Sequence, residues 1–386
     1  MTIFALIYTD FKLPKWTTWT STRRLQKRVK ILFWTKAFGA WNEVYNFTSS
    51  GLTPHDNCPV PCFLTNNRSL IRTVDAVVIH DRDADGNNLP KYRAPHQRWV
   101  YWNLESPAHS RPQQMKKLKK VFNWTYTYRR DSDVWHPYSF VARLTPERSS
   151  SPPFVTWTNR SKLVVWLVSN CRTPSGRMQF VKELKKHIPV DIYGTCGNLK
   201  CLRRLGCPAS FGRTYYFYLA LENSICPDYV TEKFYVNALQ NEIVPVVFGN
   251  YSDLAPPGSY INALDFASPK HVATYLKAVA ADPSRYQKYF AWRNTHGIVP
   301  SGITDHCALC KALYEARPEN RKVYKNIVRW WHGNGSLCTS WKPVRAPDTV
   351  APAGRTMSPG FAATLRPTGS TFQEEKSIGR NNKSEH

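Results

Sequence analysis

The sequence predicts an α/β fold with two Rossmann-like domains. Two blocks of the chain alternate short runs of β-branched and aromatic residues with helix-like stretches, a pattern typical of parallel sheets flanked by helices. A segment rich in Pro, Ser and Arg, residues 143–160, lies between the blocks. The chain has 386 residues, of which 42% are hydrophobic, and this length suits two domains better than one.

The first block begins with the strand-like run VKILFWT and continues with two further apolar runs, DAVVIHDRD and RWVYWNLES. A basic amphipathic stretch, QQMKKLKKVF, then predicts a helix. In chain order the predicted elements are strands at 29–35, 75–83 and 98–106, a helix at 113–122 and a strand at 122–130.

The second block repeats this alternation. Its predicted elements are a strand at 162–170, a helix at 176–187, a strand at 190–194, a cysteine-rich loop at 195–212, a strand at 215–223, a helix that begins near Asp228, a strand at 243–249 and an amphipathic helix across 269–291. No G-x-G-x-x-G sequence follows a first strand, so the fingerprint of dinucleotide-binding domains is absent.

These elements set the predicted limits of the domains. After about residue 345 the chain is rich in Pro, Ser, Thr and Gly with few apolar residues, which predicts a disordered tail. The limits are an N-terminal segment at 1–28, a first domain at 29–142, a linker at 143–160, a second domain at 161–345 and a tail at 346–386.

The charge of the chain favours an anionic partner. There are 53 basic and 27 acidic residues, which gives a net charge of +26. Nucleic acid, an anionic membrane, a polyanionic glycan or the phosphates of a nucleotide would all suit this charge. Much of it is equally consistent with a solvated basic surface.

Cysteines and sequons indicate an oxidising, glycosylating lumen. The ten cysteines are an even number, dispersed along the chain. Seven Asn-x-Ser/Thr sequons accompany them, at Asn46, Asn67, Asn123, Asn159, Asn250, Asn334 and Asn382. The apolar start MTIFALIY is too short for a membrane span and is a poor signal peptide, so we expect the true start, with its anchor, to lie upstream.

A lysine near a helix start raises the first functional question. Asp228 is the expected N-cap of a helix in the stretch 220–239, and Lys233 follows within about a turn and a half. A cation there costs about 0.3–1 kcal/mol, because the helix N-terminus is already positive. A bound phosphate would offset this cost, with Tyr229 on the same face and Glu232 placed for a ribose diol. The alternative is that Glu232 complements the dipole and Lys233 extends into water.

Three segments give the chain a family resemblance. They are ALENSICPDYVTEKFYVNALQNEIVPVVFG at 220–249, HQRWVYWNLESPAHS at 96–110 and VSNCRTPSGR at 168–177. The first closely resembles the hallmark motif of α1,3-fucosyltransferases, inverting enzymes that use GDP-fucose. The second resembles the acceptor-side motif of that family, and the third its donor-domain segment. The resemblance runs from about residue 29 to 340 in the order of the family.

The resemblance implies an architecture and a set of site residues. It implies the GT-B type of glycosyltransferase, with two Rossmann-like domains facing each other across a cleft, the acceptor side in the first domain and GDP-fucose largely on the second. By position in the motifs, Glu105 is the catalytic base, Arg177 and Lys233 contact the diphosphate, Asn223, Tyr229 and Glu232 belong to the donor site, and Glu222 is their neighbour. From their chemistry we add Trp102, whose ring offers a face for stacking on a sugar, and His109, which is placed to reach the acceptor.

The implied partners are GDP-fucose and an N-glycan or related oligosaccharide containing N-acetylglucosamine. No metal is expected to be required, because Arg177 and Lys233 can hold the departing diphosphate, although stimulation by a divalent ion stays open. The family's usual location is the Golgi lumen, as type II membrane proteins with a single span. The C-x-D-Y-V-T-E-K form and the HCALC segment at 306–310 favour core α1,3 transfer over Lewis-type transfer.

Two signals for a metal are set aside. DRDADGNN at 81–88 imitates the start of a calcium loop, but Tyr92 stands at position twelve, where such loops need a glutamate. HCALC has zinc-like spacing without a second C-x-x-C, so disulfides explain it better. Two alternative functions stay open: a basic nucleic-acid-binding protein, and a glycan-binding family member that transfers nothing.

Overall fold

Two parallel sheets carry the fold. The structure is a computed structural model that describes residues 27–41, 52–55, 58–145, 160–201, 207–301, 304–317, 322–334 and 337–343. The predicted tail, almost all of the predicted N-terminal segment and most of the predicted linker therefore lie outside the described residues. Both sheets belong to the same compact unit of the structure.

The first sheet has seven strands in the order β2-β3-β1-β4-β5-β6-β7. Neighbouring strands are parallel except that β2 runs antiparallel to β3. Its strands are β1 Val29–Phe33, β2 Thr53–Pro54, β3 Cys62–Thr65, β4 Ala76–His80, β5 Arg98–Asn103, β6 Trp124–Thr127 and β7 Val134–Trp135.

The second sheet has five parallel strands in the order β10-β9-β11-β12-β13. Its strands are β9 Lys162–Leu167, β10 Val190–Tyr193, β11 Tyr215–Leu219, β12 Val244–Val247 and β13 Ile261–Asn262. A two-stranded antiparallel sheet joins β8, Ser139–Arg143, to β14, His296–Pro300.

Each large sheet contains five successive parallel strands in the order 2-1-3-4-5. In such sheets ligands bind outside the carboxyl ends of the strands, where the strand order reverses. That point lies between β1 and β4 in the first sheet and between β9 and β11 in the second. The predicted fold class, α/β with two Rossmann-like sheets, is confirmed.

Helices connect the strands. The α-helices among the described residues are α1 Pro112–Met115, α2 Arg177–Leu184, α3 Cys207–Thr214, α4 Glu232–Phe234, α5 Pro269–Ala281, α6 Pro283–Gln287, α7 Cys307–Glu315 and α8 Ile327–His332. The predicted helix at 113–122 is only α1 followed by a 3₁₀ turn, Lys116–Leu118. The predicted loop at 195–212 contains the start of α3.

The prediction that Asp228 caps a helix is wrong. The helix begins at α4, and its N-cap is Thr231, whose side chain accepts a hydrogen bond from the Lys233 N–H. Asp228 has a φ of +59°, outside the helical region, and its carboxylate accepts from the backbone N–H of Arg130 at 3.0 Å. After α4 the chain continues as a π-helix, Tyr235–Leu239.

The last two helices pack on the first sheet, although they follow the second in the chain. Leu309, Leu313 and Trp331 from α7 and α8 share a hydrophobic core with Ile31 and Val77 of the first sheet. Two disulfides, Cys58–Cys307 and Cys62–Cys310, fix α7 there. Thus part of the segment assigned to the second domain, 161–345, belongs by packing to the first sheet.

All ten cysteines form disulfides, as the sequence predicts. The other three bonds are Cys171–Cys196, Cys201–Cys207 and Cys226–Cys338. His55 lies near the sulfurs of Cys58 and Cys307, but those two are bonded to each other. The aspartates of the calcium-like loop also have separate partners: Asp81 binds Asn103, and Asp83 binds His80.

Residues 338–341 tie together two loops at the carboxyl edge of the second sheet. Thr339 donates its N–H to the Ile225 carbonyl at 2.7 Å, and Trp341 donates to the Ser175 carbonyl at 2.9 Å. The Cys226–Cys338 bond lies beside the first contact. This short segment therefore holds the loops after β9 and β11 in register.

Removing that bond is expected to destabilise the protein. The double variant Cys226→Ser/Cys338→Ser should lose about 2–5 kcal/mol of unfolding free energy in urea, because the bond closes a long loop. The matched control is Cys201→Ser/Cys207→Ser, which opens a loop of only six positions and should lose less. Equal losses in the two double variants would contradict this.

The sequons differ in exposure. Asn67, Asn250 and Asn334 are exposed, whereas Asn46, Asn159 and Asn382 lie outside the described residues. The structure contradicts Asn123 as a glycosylation site, because this residue is only 4% exposed. Its side-chain amide donates to the Lys322 carbonyl at 2.9 Å and accepts from the Trp99 N–H.

We therefore expect glycans at Asn67 and Asn250 and none at Asn123. The measurement is glycopeptide mass spectrometry of the protein secreted from animal cells, with Asn67→Gln as the control that removes one site. A glycan on Asn123 in the folded protein would contradict the burial of this side chain.

Candidate active site

The two sheets meet at Glu105 and Tyr229. Glu105 follows β5 of the first sheet, and Tyr229 lies in the segment between β11 of the second sheet and α4. The Tyr229 hydroxyl donates a hydrogen bond to Glu105 Oε2 at 3.3 Å. The motifs that the sequence places in separate domains therefore form one site, at the carboxyl edges where α/β proteins bind ligands.

The turn after β5 holds Glu105 partly exposed. Its backbone N–H donates to Asn103 Oδ1 at 2.9 Å, and the preceding carbonyl, of Leu104, accepts from the Tyr138 hydroxyl at 2.7 Å. Ser106 then begins a 3₁₀ turn, Pro107–His109. The carboxylate thus extends from a turn fixed on both sides of its own residue.

His109 belongs to the same site. Its Nδ1 lies 3.1 Å from the hydroxyls of both Ser106 and Ser224, which are themselves 2.8 Å apart. Burial lowers the pKa of His109, and the nearby Glu105 carboxylate only partly opposes this effect. Arg177, Arg82 and Lys233 lower it further, so the imidazole is neutral at physiological pH.

Lys233 forms ion pairs with two carboxylates of this chain. Its Nζ donates to Glu222 Oε2 at 3.0 Å, to Thr231 Oγ1 at 2.9 Å and to Glu232 Oε1 at 3.2 Å. Burial alone would lower the pKa of Lys233, but Glu222 and Glu232 raise it above its usual range. The lysine is therefore charged, and its position near the helix start is explained by these two partners.

Glu222 is the buried counter-ion of this lysine. The residue is 1% exposed, and its other oxygen, Oε1, accepts from the N–H and the hydroxyl of Thr231 at 2.9 and 2.7 Å. Donors thus occupy both carboxylate oxygens, as a buried charge requires. Glu222 fixes Lys233 at the carboxyl end of β11, beside the point where the strand order of the second sheet reverses.

Arg177 lies on the other side of that point. It is the first residue of α2, follows Gly176 at a φ of +76°, and is 2% exposed. Its Nη1 and Nη2 donate to the carbonyls of Leu221 and Asn170 at 2.7 and 2.8 Å, while Nε has no hydrogen-bond partner among the described residues. The guanidinium links the loops after β9 and β11, and its contact with a diphosphate stays a prediction.

The other predicted donor-site residues lie close by. The Asn223 carbonyl accepts from the Ser175 N–H at 3.2 Å, and the Glu232 side chain is 50% exposed. Tyr229 is 3% exposed and precedes the helix, so it does not share a helical face with Lys233. Donor contacts of these three residues also stay predictions.

The structure contradicts the suggestion that Trp102 stacks on a sugar. The side chain is 0% exposed, and its ring packs against Tyr126 and His136. Its Nε1 donates to His136 Nδ1 at 3.2 Å. Trp102 is a core residue because it lies on a central strand with neighbours on both sides.

Sequence reasoning missed four residues of the site. Thr231, Ser224 and Asn103 each bond one of the predicted residues, and Tyr138 bonds the carbonyl of Leu104, directly before Glu105. Thr231 carried a usable signal, since Thr before Glu-Lys is a common N-cap pattern. Nothing in the sequence signals the other three, because their partners come from distant positions or depend on the turn geometry.

The chain matches family models of known proteins over most of its length. Residues 157–330 match the family model described as Glycosyltransferase family 10 (fucosyltransferase) C-term, and residues 26–139 match Fucosyltransferase, N-terminal. The chain is also 38% identical over 315 residues to 3-galactosyl-N-acetylglucosaminide 4-alpha-L-fucosyltransferase FUT3 of Bos taurus, which covers 78% of this chain and 82% of that relative. The chain belongs to glycosyltransferase family 10, the fucosyltransferases. The predicted family and enzyme class are confirmed.

Two further similarities extend the comparison. The chain is 37% identical over 300 residues to Glycoprotein 3-alpha-L-fucosyltransferase A of Drosophila melanogaster, and this match spans 75% of the chain and 58% of that fucosyltransferase. A crystal structure of an alpha1,3-fucosyltransferase aligns with a TM-score of 0.42 at 15% identity, over 68% of this chain and 83% of that one.

Among the helices that the structure describes, none has the length and apolar character needed to cross a membrane.

Proposed function

We propose that this fucosyltransferase transfers L-fucose from GDP-β-L-fucose to the 3-hydroxyl of N-acetylglucosamine in N-glycans, with inversion at the anomeric carbon. The observation that supports the proposal is the hydrogen bond from Tyr229 to Glu105, because it brings the carboxylate that follows β5 of the first sheet to the segment that leads into α4, the helix of Lys233. One base and a cationic diphosphate site are what an inverting transfer needs.

In the proposed reaction Glu105 accepts the proton of the acceptor hydroxyl as its oxygen attacks the anomeric carbon. The new glycosidic bond forms on the face opposite the diphosphate. The bond between that carbon and the β-phosphate oxygen breaks, and its electron pair leaves with GDP. A diphosphate is a good leaving group, so a single carboxylate suffices, unlike in glycoside hydrolysis.

The charge that develops on GDP is stabilised by Lys233 and by the field of Arg177. Both cations are held before the donor arrives, by Glu222 and by backbone carbonyls respectively. Charges positioned in advance need no reorganisation during the reaction, which makes them effective. We therefore propose that transfer needs no divalent metal, and transfer that is lost in EDTA and restored by a divalent ion would contradict this.

Neutral His109 suits the acceptor side of the site. Its Nδ1 is engaged by Ser106 and Ser224, so its ring orientation is fixed relative to Glu105. We propose that it contacts the acceptor sugar rather than the donor, since it follows β5 of the first sheet.

For the acceptor we propose the innermost N-acetylglucosamine of the N-glycan core. The similarity to a relative named as a glycoprotein 3-alpha-L-fucosyltransferase supports this choice. The bovine relative, named for transfer to a galactosyl-N-acetylglucosaminide, keeps a Lewis-type acceptor as the alternative. The protein is proposed to act in the Golgi lumen, where its five disulfides would persist.

The test is mass spectrometry of glycan products after incubation with GDP-fucose and defined acceptors. We expect one added fucose on the core N-acetylglucosamine, with linkage to O3. If fucose is added only to the outer antennae, the acceptor is of the Lewis type and the proposal of core transfer is wrong. GDP binding without any transfer would indicate an inactive glycan-binding protein, and salt-sensitive oligonucleotide binding without GDP binding would favour a nucleic-acid-binding protein.

A further inference from the structure

A buried hydrogen-bond network lies under the turn that carries Glu105, and Asn103 is its centre. Asn103 is the last residue of β5 and is 1% exposed. Its Oδ1 accepts from the Glu105 N–H at 2.9 Å, while its Nδ2 lies 3.2 Å from Asp81 Oδ2 and 3.0 Å from Ser110 Oγ. An amide has two N–H bonds and one oxygen, so both ends of this side chain are engaged.

Asp81 anchors the network from the neighbouring strand. It directly follows β4, which pairs in parallel with β5, and the residue is 5% exposed. Burial raises the pKa of Asp81 to about 6, which hydrogen bonds from Ser110 and Tyr101 and the charge of His80 only partly oppose.

Packing alone does not account for this carboxylate. A buried acid without a cationic hydrogen-bond partner costs stability, and an apolar side chain of similar size would avoid that cost. What the acid does provide is a fixed acceptor for the Asn103 amide. The amide is thereby oriented with its oxygen toward the Glu105 backbone.

Ser110 closes the turn from its other end. Its hydroxyl receives the Asn103 Nδ2 hydrogen bond and a second one from Trp331 Nε1 at 2.8 Å. Trp331 belongs to α8, which packs on the first sheet. The turn 104–110, which contains Glu105 and His109, is thus joined at both ends to the same asparagine.

We propose that Asn103, oriented by Asp81, is a positioning residue that sets the direction of the Glu105 carboxylate for proton transfer from the acceptor. This inference rests on the proposed function, in which Glu105 is the base. Asn103 itself acts through the Glu105 backbone and touches neither substrate. An error of about 1 Å in the placement of such a group can cost about 10²-fold in rate.

The experiment compares three variants of the full chain with the wild type. Asn103→Leu removes every hydrogen bond of the network's centre. Asn103→Asp places two carboxylates about 3 Å apart, where both cannot be ionised. The exchange Asp81→Asn/Asn103→Asp restores one amide and one carboxylate, so that the amide at position 81 donates to the carboxylate at position 103, whose other oxygen accepts from the Glu105 N–H. For each we measure kcat, the acceptor KM, the Kd for GDP and Tm.

We expect kcat to fall about 10²-fold in Asn103→Leu with the Kd for GDP unchanged, because the donor side lies on the other sheet. Asn103→Asp should be similarly impaired, and the exchange should recover most of kcat. The matched control is Asn123→Leu, another buried asparagine of the first sheet, at the amino end of β6. It should lower Tm and leave kcat unchanged.

Several results would overturn the inference. They are a kcat in Asn103→Leu within threefold of wild type, an exchange variant no more active than Asn103→Asp, or kcat changes that follow Tm across all variants, Asn123→Leu included. If Asn103→Leu does not fold, the comparison of Asn103→Asp with the exchange decides. A separate variant, Glu105→Gln, tests the proposed function by itself. If this variant keeps wild-type turnover, Glu105 is not the catalytic base, whatever the Asn103 variants show.

Discussion

Glu105→Gln is expected to lower fucosyl transfer by about 10²–10⁴-fold while the Kd for GDP stays unchanged. The amide has the size of the carboxylate and can still accept the hydrogen bond of the Tyr229 hydroxyl. It cannot accept the proton of the attacking hydroxyl. The loss should therefore appear in kcat, measured at saturating acceptor and donor, with little change in Tm.

The matched control for this substitution is Glu183→Gln. Glu183 of α2 pairs with the exposed Lys186 just beyond the end of that helix and contacts none of the predicted site residues in the described part of the chain, so kcat should be that of the wild type. A Glu105→Gln protein that turns over within threefold of wild type would assign the base to another residue.

Lys233→Met is expected to produce two separable losses. The cation that stabilises the departing diphosphate disappears, which should lower kcat about 10²–10³-fold. The variant also leaves Glu222 buried without its counter-ion, which should cost about 3 kcal/mol of unfolding free energy, near the lower end for a broken buried pair because the Lys233 side chain is 17% exposed.

The double variant Lys233→Met/Glu222→Gln separates these effects. Removing the buried charge should return part of the lost stability, measured by urea unfolding, but none of the lost activity. Lys186→Met, which breaks an exposed pair with Glu183, serves as the control and should change neither quantity. If the double variant recovers activity together with stability, Lys233 acts as a structural residue and not on the diphosphate.

The main strands and the position of the site were predictable because both depend on local signals. Runs such as VKILFWT and KLVVWLVSN have the β-branched and aromatic content of buried parallel strands, and β1 and β9 lie within them. Lys233 lies near the start of a helix that follows a strand, where α/β proteins bind anions, and Glu105 was identified from the resemblance of its segment to the acceptor-side motif.

The partners of these residues were not predictable, because they come from elsewhere in the chain. The helix was predicted to begin at Asp228 but begins at α4. The Asp228 carboxylate instead accepts a hydrogen bond from Arg130, which lies 98 positions away in the chain. Lys233 finds its counter-ion in Glu222, eleven positions earlier and beyond the turn that precedes the helix. Both are tertiary contacts that no helical spacing encodes.

The placement of the last helices was missed for a similar reason. Cys307 and Cys310 are about 250 positions from their partners, and cysteine spacing alone does not give connectivity. Because those bonds hold α7 on the first sheet, the order of elements along the chain misassigned them to the second. For Trp102 the residue type was misleading. A tryptophan suits stacking on a sugar, but this side chain is buried because its strand lies in the centre of the sheet.

The most direct test of this account is a crystal structure of the protein with GDP bound. We predict that the diphosphate lies within hydrogen-bond distance of Lys233 Nζ, outside the carboxyl ends of β9 and β11, and that the Glu105 carboxylate faces the open side of the β-phosphate. A diphosphate bound to the first sheet, or one separated from Lys233 by another part of the protein, would contradict it.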